Sequence, residues 1–489
     1  MRQRPAGIIA DLPSAAPQKV AIIGGGFSGT VVLAHLAERL AAGSSVTVFD
    51  ARGAHGSGTA YGSRERHHLL NVPADRIGAF EPDHFIRWLS GSGGRAAVAR
   101  ICLGRAGAKD YLPRALYGAY LGSILDHALA TAVRRGVTAT LVPADIEDVR
   151  TRGKGLEIKT GHRREPCDVL VLATGNQPPR RPAFAARSLL KAKDYIADVW
   201  ANGLPEHLRK DATVLILGTG LTAVDAVLSL AARGHEGRII AVSRHGWLPA
   251  VHAAERPSPW TWVVPPERIA PRAVAYLHWL KTEAKAAQAA GADWRGVFEA
   301  LRPLTSRLWR DLDERQQQKV LRQHALWSIH RHRMAPEIAA RLERLRESGQ
   351  LEIVAARILS ATSRFGALRV RWRRRHAKAD EVLKPSLILN CTGPDYDVEH
   401  AESSLYRRLI ARGIVVRSPN GLGLGIDPDG SVRSLTGHLV FALGALAVGD
   451  QFEITAVPEL RVAARNVAER IVERAQELSH PSIIRALHG

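Results

Sequence analysis

Two segments of this chain share one order: an apolar strand, a glycine-rich turn, then an amphipathic helix. The first runs Lys19-Val20-Ala21-Ile22-Ile23, Gly24-Gly25-Gly26-Phe27-Ser28-Gly29, and an apolar-periodic stretch from Val31 to Leu40. The second runs Thr213-Val214-Leu215-Ile216-Leu217, Gly218-Thr219-Gly220-Leu221-Thr222-Ala223, and a helix carrying Val224, Val227, Leu228 and Leu230. Such a unit places a helix N-terminus, with its free N–H groups and positive dipole end, at the tip of a buried strand, where bare glycine backbone admits a phosphate. In the first loop Gly24 permits the tight turn, Gly26 lets backbone approach a pyrophosphate, and Gly29 allows close helix packing, with Phe27 and Ser28 opening the helix. In the second, Gly218, Gly220, Leu221 and Thr222 are expected at the ligand.

The strand after each helix distinguishes the two loops. A strand over Ser45 to Phe49 ends in Asp50, 21 residues past Gly29, where a carboxylate accepts hydrogen bonds from adenosine ribose hydroxyls. The corresponding strand, Arg238 to Val242, ends in Ser243-Arg244-His245 and carries no acid. Arg244 lies 21 residues past Ala223, where a guanidinium pairs with the 2′-phosphate of NADPH and an acid would repel it. NADPH is therefore favoured over NADH, the bland alternative being an incidental surface arginine.

Each half also closes alike. Alternating segments around Glu147 to Lys159 lead into Asp168-Val169-Leu170-Val171-Leu172 and Ala173-Thr174-Gly175, and segments around Ile358 to Trp372 lead into Leu387-Ile388-Leu389-Asn390 and Cys391-Thr392-Gly393. This is a repeat of whole domains. The expected fold is α/β, with two Rossmann-like dinucleotide-binding domains, the NAD(P) domain inserted in the FAD domain, and a helical insertion. The expected boundaries are a flexible tail over 1–18, the first part of the FAD domain over 19–205, the NAD(P)H domain over 206–393 with its insertion over 252–349, and the rest of the FAD domain over 394–489. At 489 residues the chain exceeds the roughly 250 to 300 at which one core stops growing.

With these loops and strands in place, the chain resembles flavoproteins with two dinucleotide-binding domains. More narrowly, it is similar to a bacterial FAD/NAD(P)-binding family that includes a flavin-dependent urate hydroxylase and aspartate N-hydroxylating monooxygenases. The resemblance is carried by Gly24 to Thr30, Gly58-Thr59-Ala60-Tyr61, His68-Leu69-Leu70-Asn71-Val72-Pro73-Ala74, Pro113-Arg114-Ala115-Leu116-Tyr117-Gly118, Trp327 to Arg333, and Thr455-Ala456-Val457-Pro458-Glu459-Leu460-Arg461. It implies FAD contacts at Asn71, Thr174, Gly175 and Gly444. Two positions depart from the family pattern. Ile77-Gly78 stands where Met-Ser is usual, and Gly444 is followed by Ala445 rather than Asp, so the ribityl contact is expected elsewhere, with Asp450 as candidate. Thr455 reads as the N-cap of the last helix, its N-terminus directed at the flavin pyrimidine.

Six of the ten tryptophans, Trp260, Trp262, Trp279, Trp294, Trp309 and Trp327, fall in the insertion. Two readings stay open: a lid that excludes water from a reactive cofactor, or helix packing. His330-Arg331-His332-Arg333 suggests an anion or NADPH contact and lacks the spacing of a metal site. No catalytic base is identifiable, so the chemistry belongs to the cofactor. The expected activity is an FAD-dependent, NADPH-using monooxygenase that hydroxylates a small nitrogen-containing or aromatic metabolite with O2 through a flavin C4a-hydroperoxide. Its rivals are an NAD(P)H dehydrogenase that inserts no oxygen, and an FAD-binding redox sensor or nucleic-acid-binding protein.

Composition narrows these readings. Hydrophobic residues make up 46% of the chain and charged residues 24%, which argues against wholesale disorder. Cys102, Cys167 and Cys391 lie far apart, which suggests a reducing cytoplasm and argues against a disulfide reductase with paired cysteines. The net charge of +21 attracts anions of any kind, yet no compact nucleic-acid-binding motif accompanies it. The longest apolar C-terminal run, Leu439 to Val448, is far short of the ~20 residues that span a bilayer, so no membrane contact is expected. Oligomeric state is left open.

Overall fold

The computed structural model describes residues 16–479 apart from 103, 105 and 402. Most of the expected tail therefore lies outside the described residues. The fold is α/β, as expected, and is built on two parallel sheets.

The first sheet has the order Leu439–Ala442, Val169–Leu172, Lys19–Ile23, Ser45–Phe49, Thr138–Val142, with every pairing parallel. The β-branched runs suit strands covered on both faces. Side chains alternate across the sheet: Val20, Ile22, Val46, Val48, Val169 and Val171 face one core, and Ala21, Ile23, Phe49, Leu170 and Leu172 face another. The first core is closed by the helix Phe27–Arg39, which is wedged between the helices Arg114–Arg134 and Val457–Ser479. That position explains why it is apolar nearly all round, with Val31, Val32, Leu33 and Leu36 fully buried. Each such side chain contributes about 1.5–3 kcal/mol of transfer free energy.

The second sheet has the order Glu381–Leu383, Ala367–Arg374, Leu351–Arg364, Ile239–Ser243, Val214–Leu217, Leu387–Asn390, Tyr195–Ile196. Its centre is parallel, and the long strand Leu351–Arg364 then turns through a hairpin into an antiparallel edge. Val370 and Trp372 point into the core while Arg371 between them faces solvent. In the first half, the antiparallel excursion is a separate three-stranded meander, Asp148–Arg152, Gly155–Thr160 and Arg163–Cys167.

Two boundaries differ from expectation. Tyr195–Ile196, expected in the first fold, pairs with Leu387–Asn390 in the second sheet. The helix Pro336–Glu347, expected within the insertion, packs Ile338 and Leu342 against the helix Leu221–Ala232 and leads directly into Leu351–Arg364, so it is the crossover helix of the second fold. The insertion proper is formed by the helices Ala273–Ala289, Arg295–Leu301, Thr305–Arg310, Glu314–Arg322 and His324–Arg331. Among the described residues no helix is long and apolar enough to cross a membrane.

Candidate functional site

The glycine loops end at the same side of the molecule and share one cleft of about 300 Å3. Both first glycines act identically. Gly24 has φ +110° and Gly218 φ +108°. A Cβ on Gly24 would lie 2.2 Å from the Ala173 carbonyl oxygen, and one on Gly218 would lie 2.3 Å from that of Cys391. Each loop is thus pressed onto the end of its closing strand, which is why the two strand-Thr-Gly segments recur at matching places.

From the first loop, Gly24, Gly26, Phe27 and Ser28 line the cleft, together with Asp50, Thr174, Gly175, Gly444 and Thr455. From the second loop, Leu221 and Thr222 line it, and Gly393 joins them. The amides of Phe27, Ser28, Leu221 and Thr222 stand in the first turn of their helices and have no intrahelical carbonyl to bond. At Gly175, Gly220 and Gly393 an added Cβ would meet nothing within 4 Å. Unpaired amides beside bare, open backbone fit a pair of dinucleotides well.

Some expected roles change. Gly26 is faced by the backbone of Gly58, 3.4 Å from where its Cβ would be, so its missing side chain admits the segment Gly58–Tyr61 as well as any ligand. Gly29 is packed against the Gly24 carbonyl and lies behind the cleft. Asp50 accepts from its own backbone, with Gly25 N at 3.0 Å on one oxygen and Arg52 N and Ala54 N at 3.0 and 3.1 Å on the other. It therefore shapes the loop while still lining the cleft. Gly218, Gly220, Asn71, Asp450 and Arg244 do not line it.

The Asn71 carbonyl faces His252 Nε2 at 2.9 Å. Asp450 accepts from Ile426 N at 2.9 Å and lies 3.5 Å from Arg433, which ties down a neighbouring turn. Arg244 is exposed at the end of Ile239–Ser243. The last helix begins at Val457, so Ala456 rather than Thr455 precedes its first turn. At the Ile77-Gly78 departure the backbone is used instead: Tyr117 Oη donates to the Ile77 carbonyl and Arg461 to that of Gly78 at 2.8 Å.

The His330–Arg333 cluster is tied to protein partners and does not line the cleft. His330 faces the Leu326 carbonyl at 2.8 Å and packs against Trp294 and Phe298. Arg331 and His332 reach Glu453 at 3.4 and 3.2 Å, and Arg333 reaches Glu299 at 3.1 Å. No residue of the insertion lines the cleft. Trp279 and Trp309 are buried among Tyr276, Leu301, Leu308 and Phe452, so packing describes these two tryptophans.

Sequence reasoning missed an ion pair that lines the cleft. Arg114, the first residue of its helix, bonds Asp225 on the second nucleotide helix at 2.7 Å and lies over the Trp200 ring at 5.1 Å; all three line the cleft. Burial pushes the Asp225 carboxyl up to about 6 against the opposing pull of Arg114. A single acid among Val224, Ala226, Val227 and Leu228 was the available signal. A second recess, of about 450 Å3, continues from Asp225 and Trp200 along Ser57–Thr59, His68 and Ser229. Asp397, Glu399 and His400 lie close enough to share a cation, but Arg180 and Arg417 already neutralise the two acids.

Residues 21–177 match a family model described as FAD-NAD(P)-binding. No curated relative matches the chain. Among solved structures it is similar to the reduced form of ornithine hydroxylase (PvdA) from Pseudomonas aeruginosa, at 14% identity and TM-score 0.64. It is similar also to ornithine N-hydroxylase (KtzI) from Kutzneria sp. 744, at 14% and 0.62, and to L-lysine 6-monooxygenase from Pseudomonas syringae, at 16% and 0.61. Each alignment covers 94% of this chain and 99% of the other. The likeness establishes the fold over nearly the whole chain.

Proposed function

We propose that this protein is an FAD-dependent, NADPH-using monooxygenase that hydroxylates a small nitrogen-containing or aromatic metabolite with O2. The observation that carries the reading is the shared cleft, in which Gly26, Phe27 and Ser28 of one dinucleotide loop and Leu221 and Thr222 of the other line the same space. Two such ligands in one cleft suit hydride transfer between them. The structural relatives named as N-hydroxylases and a monooxygenase support the oxygen-inserting form, and the sequence resemblance to the urate- and aspartate-hydroxylating family supports the substrate class.

FAD, when bound, supplies the chemistry by accepting hydride and passing electrons to oxygen. The chain's own residues bind and orient. The free first-turn amides of Phe27 and Ser28 would hold the FAD pyrophosphate, Asp50 sets the shape of that loop, and the amides of Leu221 and Thr222 would hold the pyrophosphate of NADPH. Gly444 and Thr455 bound the other end of the space, with Leu460 as an apolar wall. The Arg114–Asp225 pair fixes the helix Arg114–Arg134 to the second nucleotide helix, Leu221–Ala232.

The rival that reduces an acceptor without inserting oxygen is favoured by one fact: no insertion residue reaches the cleft to exclude water. The deciding experiment follows NADPH oxidation by the yellow holoprotein with amino acids, purines and aromatic amines under 18O2. Incorporation of one 18O atom into a product supports monooxygenation. NADPH consumption with every tested substrate unlabelled and all oxygen recovered as hydrogen peroxide would overturn it.

A further inference from the structure

The second dinucleotide loop leads, through its helix and the strand Ile239–Ser243, to a turn over Ser243 to Trp247 whose position is rigidly set. Gly218 N bonds the Val242 carbonyl at 2.7 Å, Thr219 Oγ1 lies 2.5 Å from the Trp247 carbonyl and 3.0 Å from Ser243 Oγ, and Gly246 N bonds Ser243 Oγ at 2.9 Å. Gly246 has φ +66°, and a Cβ there would stand 3.0 Å from Ala355 N, so the turn lies flat against the neighbouring strand. His245 stacks on Trp247 with ring centroids 4.2 Å apart and planes 12° apart.

The hairpin beyond Ala355 returns to this turn. Ala355 pairs in register with Ser243, and the Ala355 carbonyl accepts from Arg375 N at 2.8 Å. Arg375 thereby stands at the same strand tip as Arg244, and its Nη1 lies 3.4 Å from His245 Nδ1. Its neighbours are neutralised. Arg373 bonds Asp380 at 2.7 Å, Arg371 lies 3.9 Å from the same acid, and Arg374 reaches Glu352 and Glu381 at 3.0 and 3.2 Å. Among the described residues neither Arg244 nor Arg375 has a carboxylate partner.

We propose that Arg375 is a second determinant of nicotinamide specificity, joining Arg244 to hold the 2′-phosphate of NADPH. The inference rests on the NADPH reading above. Two exposed arginines stand where the strand after the phosphate loop ends, Arg244 placed there directly and Arg375 brought back 131 residues later by a hairpin. A phosphate monoester carries close to two negative charges at neutral pH and offers three acceptor oxygens, which match two planar donor forks better than one. His245, fixed by its stack on Trp247, limits the directions that the Arg375 side chain can take. NADH lacks this phosphate, so the pair discriminates by attraction to one cofactor.

Calorimetric titration of the FAD-loaded protein with 2′,5′-ADP and with 5′-ADP tests the idea without turnover. Wild type should bind 2′,5′-ADP at least about tenfold more tightly, each factor of ten being ~1.4 kcal/mol. Arg375→Ala should weaken 2′,5′-ADP by about tenfold and 5′-ADP far less. Arg375→Lys should recover only part of the loss, because an ammonium restores charge without the fork, and kcat/KM for NADPH should fall through KM. Equal weakening of both nucleotides by Arg375→Ala, or of neither, overturns the role of Arg375. If wild type itself shows no preference for 2′,5′-ADP, the NADPH reading fails and takes this proposal with it. If the preference survives Arg375→Ala and is lost in Arg244→Ala, only this proposal fails.

Discussion

The indole Nε1 of Trp327 donates a 2.7 Å hydrogen bond to Oε1 of Glu453, a buried carboxylate on a residue whose φ is +68°. Burial pushes this carboxyl up, but His332, Arg331 and the Trp327 donor outweigh that effect and hold it at about 2. A non-glycine residue in the left-handed region costs of order 1–3 kcal/mol and persists only where its surroundings hold it. Here the insertion supplies those surroundings. The contact is extended by Trp309, which stacks on Phe452 at 4.6 Å and donates to the Gly449 carbonyl at 2.7 Å, and by the bidentate pair of Arg302 with Glu459 at 2.6 and 2.8 Å. The insertion acts on the cleft through the segment 449–459 and not by covering it.

Trp327→Phe keeps the ring and removes the donor, leaving Glu453 short of a partner. We expect a loss of about 1–3 kcal/mol in urea unfolding with little change in slope. The hydrogen peroxide released per NADPH consumed should stay at the wild-type value, since Trp327 does not line the cleft. A rise in that fraction without loss of stability would restore the lid reading.

The two loops permit a clean test of occupancy. At Gly220 the backbone is extended and a Cβ meets nothing, so Gly220→Val should fold with a penalty of about 1 kcal/mol from the poorer helix cap. It should retain stoichiometric FAD and lose at least about tenfold in NADPH binding, as the added side chain would stand beside the first-turn amides of Leu221 and Thr222 that would take the pyrophosphate. Gly26→Val is less informative, because its side chain would collide with Gly58 whether or not FAD is present. Gly26→Ala is the better probe, and the A450-to-A280 ratio after desalting reports it. Unchanged FAD in Gly26→Ala together with unchanged NADPH binding in Gly220→Val would empty the cleft of its assigned ligands.

Acidity should weaken the fold below neutral pH. Burial holds His35 at about 4, His68 at about 3 and His252 at about 4, the first two lowered further by Arg39 and His67 and the third by Arg333. Their unfolded values lie near 6.5. Below that pH the unfolded chain takes up protons that the folded chain does not, so their contribution is full above about 6.5 and is lost down towards 4 and 3. Asp225, raised to about 6, acts in the opposite sense between about 4 and 6. The three histidines outnumber it, so Tm should fall from pH 7 to pH 5, and His252→Gln should reduce the fall. A Tm independent of pH over this range would contradict the burial of these rings.

Arg114 and Asp225 should prove a unit. With side chains only 17% and 9% exposed, removing the acid in Asp225→Ala strands a guanidinium and should cost about 3–5 kcal/mol. Asp225→Leu combined with Arg114→Met should cost much less than the two single losses added together. Urea midpoints of wild type, Asp225→Leu, Arg114→Met and the double variant form the cycle, and simple additivity would show that the two residues act separately.

The contrast between what was legible in the sequence and what was not reflects the range of each signal. Gly24 and Gly218, the apolar strands before them and the small-Thr-Gly ends of Val169–Leu172 and Leu387–Asn390 were readable because turn, helix and strand preferences are local. The Arg114–Asp225 bond joins residues 111 apart and the Trp327–Glu453 bond joins residues 126 apart, and no periodicity announces such a meeting. The Asp450 bond to Ile426 N was hidden for the same reason: its partner sits in an irregular turn. The helix Pro336–Glu347 falls inside the expected insertion, 252–349, and only its packing on Leu221–Ala232 separates it from the helices before it.

The first sheet takes its edge strand, Leu439–Ala442, from beyond the whole of the second fold. During synthesis, every strand of the second sheet has left the ribosome once residue 390 has emerged, whereas the first sheet waits for residue 442. The earlier nucleotide fold thus spends translation with one edge of Val169–Leu172 unpaired, an open template for wrong strand partners. In this chain the half that is made first is the half that is finished last.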